Sequence, residues 1–266
     1  MNATLYKLYA ILRRDLLTAA RHRTGFVIAA FGLFTELAAF YFLSRAIGPG
    51  FRPGGVEYFP FLLVGTGVYT FFVMSTQAFL SSVQEAQQTG TMEVLMTTST
   101  PPAQLVVLSS VSAFAGNLAK LAVYLLAGAA IFRAPVHPDI LSCLIVLIFC
   151  IAIAMAVGLA AATVQITFQK GSALLWLLSS GVWFLSGAMF PIESLPRPLE
   201  LLAHAIPLSY AVAGMRMALL QGQSVPLMAG TLTALAAFSI VLLPLALWGL
   251  SASLRRARRN GTLSFY

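Results

Sequence analysis

Long apolar runs, broken by short polar or turn-rich stretches, set the pattern of this chain. Six runs recur, at roughly 25–47, 58–83, 103–132, 140–164, 172–190 and 227–252. Each is close to the ~20 apolar residues that a helix needs to cross a hydrocarbon core of about 30 Å. Backbone polar groups in lipid must be satisfied within their own segment, which predicts helices. The short alternating strands of a transmembrane barrel do not appear in these runs. The pattern predicts an all-α integral membrane protein: one domain over 1–266 with six transmembrane helices.

The breaks carry their own signals. Gly48, Pro49, Gly50, Pro53, Gly54 and Gly55 make 48–57 a turn-rich loop. A polar stretch from Gln84 to Pro102 separates the second and third runs, and Gln165–Gly171 links the fourth and fifth. Phe190-Pro191 is expected to end the fifth span, because proline lacks the amide proton a continuing helix would use. The 191–226 region then holds two apolar pieces, Leu199 to Ile206 and Leu208 to Leu220, with Pro207 between them. Both are too short to span a bilayer, which predicts short re-entrant or interfacial helices forming an outer hairpin. Such a hairpin can line an exit route or serve as an interfacial anchor; both readings stay open.

Composition agrees with a lipid-embedded chain. Of 266 residues, 59% are hydrophobic and 9% charged, too few charges to coat a soluble domain. The net charge of +8 sits mostly at the ends. Lys7, Arg13, Arg14, Arg21 and Arg23 precede the first span, and Arg255, Arg256, Arg258 and Arg259 follow the last in a basic tail, 253–266. An even number of spans puts both ends on one side, and the positive-inside rule makes that side cytoplasmic. Lys170 falls on it too. The outer connections hold Arg45, Arg52, Arg133, Arg197 and Arg216 against Glu57, Asp139, Glu193 and Glu200. Beside apolar spans, the terminal clusters read as topology signals that meet anionic lipid headgroups, not as nucleic-acid patches.

Leu5, Leu8, Leu12, Leu16 and Ala19 recur at helical spacing in a basic stretch, which predicts an interfacial amphipathic helix over 1–24. No short charged region leads into a small-residue cleavage site. Cys143 and Cys150 share a helix face about 10 Å apart along the axis, too far for a disulfide. They are expected to pack. His22, His137 and His204 have no metal-site spacing, so no metal is expected.

The polar stretch contains Gly90-Thr91-Met92-Glu93-Val94-Leu95-Met96-Thr97-Thr98, followed by Pro101. This resembles the cytoplasmic loop of type-2 ABC transporter permeases, with Ser99-Thr100 inserted before the proline. A second match is Gly187-Ala188-Met189-Phe190-Pro191, then Leu195-Pro196, then Pro207-Leu208-Ser209-Tyr210 and Arg216. It looks like that family's segment after the fifth span. The resemblance implies that 84–102 holds a coupling helix seated in a groove of a separate ATP-binding subunit. Glu85, Gly90, Thr91, Glu93, Leu95, Met96 and Thr98 would then be the ATPase-coupling residues, with Glu93 as charged anchor and Leu95 and Met96 as apolar plug. It also implies two ATP-binding subunits carrying ATP and Mg, and two membrane subunits, most simply a second permease copy in a homodimer, with a heterodimer with a related permease as the alternative. The chain itself has no Gly-x-x-x-x-Gly-Lys-(Ser/Thr) loop, so no cofactor and no catalytic residue are expected on it.

Glu36 is an acid deep in the first span and Lys120 a cation in the third. Charges inside a membrane default to functional hypotheses. Glu36 is expected at mid-depth and Lys120 nearer the outer leaflet. Pairing or snorkelling is one role and cargo contact the other. With Tyr69, Trp183, Phe190 and Tyr210 they form the candidate cargo path, although aromatic rings also serve as interfacial belts and packing. The function expected is ATP-driven export of a lipid-linked glycan, a lipid or a hydrophobic small molecule across a bacterial inner membrane. An ion-coupled secondary transporter is the alternative. The spans lack the clustered His, Asp, Glu or Ser of an intramembrane enzyme.

Overall fold

The computed structural model describes residues 23–90, 102–168 and 170–260. The expected interfacial helix, most of the coupling loop and the end of the basic tail lie outside them. Eight α-helices form among the described residues, and no strand does. They are α1 (Arg23–Ile47), α2 (Tyr58–Gln88), α3 (Pro102–Ile131), α4 (Ile140–Phe168), α5 (Gly171–Leu185), α6 (Arg197–His204), α7 (Pro207–Leu219) and α8 (Ala229–Asn260). Single turns of 3-10 helix at Pro53–Gly55, Ile192–Ser194 and Val225–Met228 fill the connections.

Five stretches, within α1 to α4 and reaching through α8, are long and apolar enough to cross a membrane. The fifth expected span is the exception. α5 has 15 residues, about 22 Å of helix. It stops at Leu185, not at Phe190-Pro191. The Ser186 amide still donates to Val182 O at 2.8 Å, and Gly187 then turns left-handed at φ 73°. A left-handed residue ends a helix, and glycine adopts it without a Cβ clash. Elsewhere the helices outrun the apolar stretches: α2 continues through Gln84–Gln88, and α8 carries Arg255–Arg259 beyond the apolar zone.

α2 and α4 form the centre. In the most apolar 18 residues of α2 78% are buried, against 6% in those of α1, which leans on α2 and the far half of α3. The larger core joins Val64, Val68 and Phe71 of α2 to Val146, Cys150 and Ile153 of α4 and to Leu208, Val212 and Met215 of α7. Cys150 is thus a packing residue, as its spacing predicted, and both cysteines are free thiols. A second core joins Phe79 and Val83 to Leu159 and to Leu250 and Leu254 of α8. Small residues on α4 (Ala154, Ala156, Gly158, Ala161 and Ala162) bring its backbone close to its neighbours. The link before α4 docks on α7: His137 and Asp139 amides donate to Leu219 O and Ala218 O at 3.0 and 2.9 Å. The Asp139 carboxylate then caps α4 by accepting from the Ser142 amide at 2.8 Å.

Candidate functional site

α2 leads directly into the polar loop, and its last turn is anchored. Gln87 and Gln165 are both buried, each 2% exposed. The Gln165 amide donates to Gln87 Oε1 at 3.2 Å, and its own carbonyl oxygen accepts from the Gly171 backbone amide at 2.9 Å. One turn back, Gln84 donates to Ser172 Oγ at 2.6 Å. The stem of the loop is therefore tied to the α4–α5 link and to the first residues of α5. A buried amide left without a partner is destabilising, so these bonds hold the elements in register. Nothing in the apolar periodicity marked these glutamines. The signal available was a glutamine at the end of a run otherwise apolar on every side.

Of the expected coupling residues, the structure describes Glu85 and Gly90. The Glu85 carbonyl accepts from both the Thr89 amide (2.9 Å) and the Thr89 hydroxyl (2.7 Å), closing the helix, and Gly90 turns away at φ 68°. Thr91, Glu93, Leu95, Met96 and Thr98 lie outside the described residues.

The expected cargo residues fall in two places. Glu36 and Lys120 line one cavity of about 480 Å³ between α1, α2 and α3, together with Thr70, Asn117 and Tyr124. Each stands 11 residues before the end of its helix, Ile47 or Ile131, about 16 Å. Glu36 reaches Tyr124, one turn beyond Lys120 toward the end of α3, so Lys120 is the deeper of the two from that end, opposite to the expectation that it lies nearer the outer leaflet. The ends of α1 and α3 are staggered: the Phe132 ring, just past α3, packs on Phe34 and Tyr41, well before α1 ends at Ile47. Among the described residues no ion pair joins them. Tyr124 closes the floor of this cavity, its hydroxyl bonded to Thr66 Oγ1 at 3.0 Å.

Tyr69, Trp183, Phe190 and Tyr210 lie on the α5 side. The Tyr69 hydroxyl donates to Ser179 O at 3.1 Å, pinning α5 to α2. Trp183, Phe184 and Phe190 form a chain of edge-to-face rings with centroids 5.8 and 5.6 Å apart. Tyr210 packs between His204 and Phe238.

The element that organises this side is Arg216 of α7. The sequence placed it in an outer connection and at the end of the motif after the fifth span, with no partner assigned. Its Nη1 donates to Gly187 O at 2.8 Å, its Nη2 to Ala188 O and Phe61 O at 2.8 and 3.0 Å, and its Nε to Phe61 O at 3.2 Å. The guanidinium also lies over the Phe61 ring, 3.3 Å from its centroid. Tyr58 adds a bond to Met189 O at 3.2 Å. The Gly187–Met189 carbonyls, freed where α5 ends, are thus gripped by α2 and α7. Gly65 makes the grip fit: a Cβ there would collide with Ala188 O and Arg216 Nη2. A lone arginine within Pro207–Leu219, an otherwise apolar helix, was the signal for this clamp.

The family model described as ABC-2 type transporter matches residues 6–220, which include α1 to α7 and the polar loop. No curated protein matches the chain. A match over most of the chain, together with an all-helical body of apolar spans, establishes the family: this chain belongs to the ABC-2 type transporters, as the transmembrane part and not the ATPase of the complex.

Proposed function

We propose that this chain is the permease of an ATP-driven exporter in a bacterial inner membrane, with six spans, both termini cytoplasmic and a second copy of itself as partner. α5 would be the fifth of these spans, completed by the clamped Ser186–Phe190 segment. Two ATP-binding subunits would seat the Gly90–Pro101 loop, with Glu93 as the charged anchor. The observation that carries this reading is the stem of that loop. Closure of the subunits on ATP would push on Gln84–Gln88, and the Gln87–Gln165–Gly171 bonds would pass the displacement to α4 and α5. α5 leads into the clamped segment and the α6–α7 pair, so a tilt of α5 would move the proposed exit. Cargo would be an amphiphile (a lipid-linked glycan, a lipid or a hydrophobic drug) leaving between the two copies, with Glu36, Lys120, Tyr69, Trp183, Phe190 and Tyr210 along its path.

The test is a photocross-linker at Thr91 or Met96 in cells, combined with vesicle transport. Capture of an ATP-binding protein, and transport that needs ATP and survives collapse of ion gradients, is the expected result. Glu93→Arg is expected to abolish transport while the permease still assembles in the membrane. Transport that follows the ion gradient instead would overturn the reading.

A further inference from the structure

A second, larger cavity of about 650 Å³ opens between the end of α1, the loop after it, the start of α2 and the end of α3. It lies at the end of the bundle away from Arg255–Arg259: the tail end of α8 is bonded to the far end of α4 through Ser253 and Thr167, whereas this cavity sits where α3 turns into α4. Its charged lining is Arg45, Arg52 and Arg133 against the single carboxylate of Glu57. Among the described residues no ion pair neutralises any of the three. Arg45 is steadied by a neutral partner instead. Its Nε and Nη2 donate to the Tyr41 hydroxyl at 3.2 and 2.9 Å, which orients the guanidinium without cancelling its charge. Tyr41, Phe51, Tyr58 and Phe59 supply aromatic wall.

The backbone gives an independent pointer. Among the described residues seven positions take a positive φ: Gly48, Gly54, Gly55, Gly90, Gly187, Gly222 and Arg133, at φ 52°. Six are glycine, the residue that adopts this conformation without strain. The seventh is an arginine whose side chain lines the cavity. A local backbone cost kept where glycine would remove it points from geometry to use.

We propose that this cavity binds a phosphate-bearing headgroup, with the guanidinium forks on the phosphoryl oxygens and a sugar or other ring against the aromatic wall. Guanidinium matches phosphate in a planar, two-pronged geometry that ammonium lacks. The volume falls in the range of about 300–1,000 Å³ typical of small-ligand sites, enough for a phosphate and one ring. The phosphoryl group can arrive on a bilayer lipid or on a soluble sugar phosphate. The proposal does not rest on the permease reading, because binding is measured without any ATPase.

The experiment uses the full chain in nanodiscs of phosphatidylcholine. One arm titrates phosphatidylglycerol into the discs, and the other adds glucose 1-phosphate to the buffer, each read as a thermal shift and by native mass spectrometry. Binding in the lipid arm alone assigns the site to a bilayer headgroup. Binding in the soluble arm alone assigns it to a free phosphate ester, and binding in both assigns it to the shared phosphoryl group. In each case Arg52→Ala should weaken binding at least tenfold and raised salt should weaken it further. Arg133→Gly is the sharper variant: it should weaken binding about tenfold while leaving the unliganded thermal midpoint equal or higher, since it relieves the left-handed backbone. No binding in either arm, or equal affinity in wild type, Arg52→Ala and Arg133→Gly, would overturn the proposal.

Discussion

Arg216 carries a full positive charge to a place where, among the described residues, no carboxylate forms an ion pair with it. Its solvation shell is replaced by carbonyl oxygens of Phe61, Gly187 and Ala188 and by the Phe61 ring. A buried charge survives when every hydrogen-bonding group it brings is used, and leaving such partners orphaned costs about 3–5 kcal/mol. Arg216→Ala is therefore expected to destabilise the protein by about 3 kcal/mol, read as a fall in thermal midpoint in detergent. Arg216→Lys should recover little, because one ammonium cannot span the α2 and post-α5 carbonyls. Gly65→Ala forces a methyl into the same contact, at about 1–3 kcal/mol for overpacking. The double variant Gly65→Ala/Arg216→Ala should fall clearly short of the sum, since both changes act on one contact. Additive losses would mean that Gly65 and Arg216 do not share a site. What approaches Gly65 is not legible in the sequence, because Arg216 and Ala188 lie more than a hundred residues further along the chain.

At the scale of elements, the last turn of α2 and the start of α5 are joined through amide groups. Gln165 bridges the last turn of α2 to the backbone that starts α5. Gln165→Leu keeps much of the volume but strands the Gln87 side chain and the Gly171 amide, at about 1–3 kcal/mol. With its partner ATPase, the variant is expected to hydrolyse ATP while moving several-fold less cargo per ATP, measured in proteoliposomes. Gln87→Leu/Gln165→Leu should regain part of the stability, since two apolar groups leave fewer orphans, but not the coupling. If the single variant transports with normal stoichiometry, the α2–α5 joint is a structural bond alone. The helices that contain these glutamines were readable from apolar runs. Their lengths were misjudged in both directions: α2 runs past its apolar stretch, because polar residues can continue a helix into water, and α5 stops short, because Gly187 turns left-handed and its carbonyls go to Arg216.

For the whole molecule, the unequal burial of the spans is the informative feature. α2 is enclosed by the rest of the chain, whereas α1 and α5 present Phe31, Phe34, Trp176 and Phe184 outward. In lipid such faces are satisfied by acyl chains or by another helix, so exposure alone does not choose between them. The proposed exit past the α6–α7 pair does choose, because α5 leads into it and would then face the second copy. In a cysteine-free background, Trp176→Cys is expected to give disulfide-linked dimers in membranes under mild oxidation. Ile240→Cys on the outward face of α8 is expected to give none. Cross-linking at Ile240 and not at Trp176 would move the interface to α8.

The sequence by itself determined the solvent and the secondary structure: apolar runs of membrane length must be helices, and that holds segment by segment without knowledge of neighbours. The motifs around Glu93 and Pro191 likewise sufficed to indicate the family. Only the tertiary structure decided that Arg216 grips the end of α5, that Gln165 joins two helix ends, that Glu36 and Lys120 line one cavity, and that three arginines gather in another. Each of these is a meeting of residues from separate helices, set by where each helix stops and how closely glycine and alanine let backbones approach. Apolar periodicity along one segment records neither quantity.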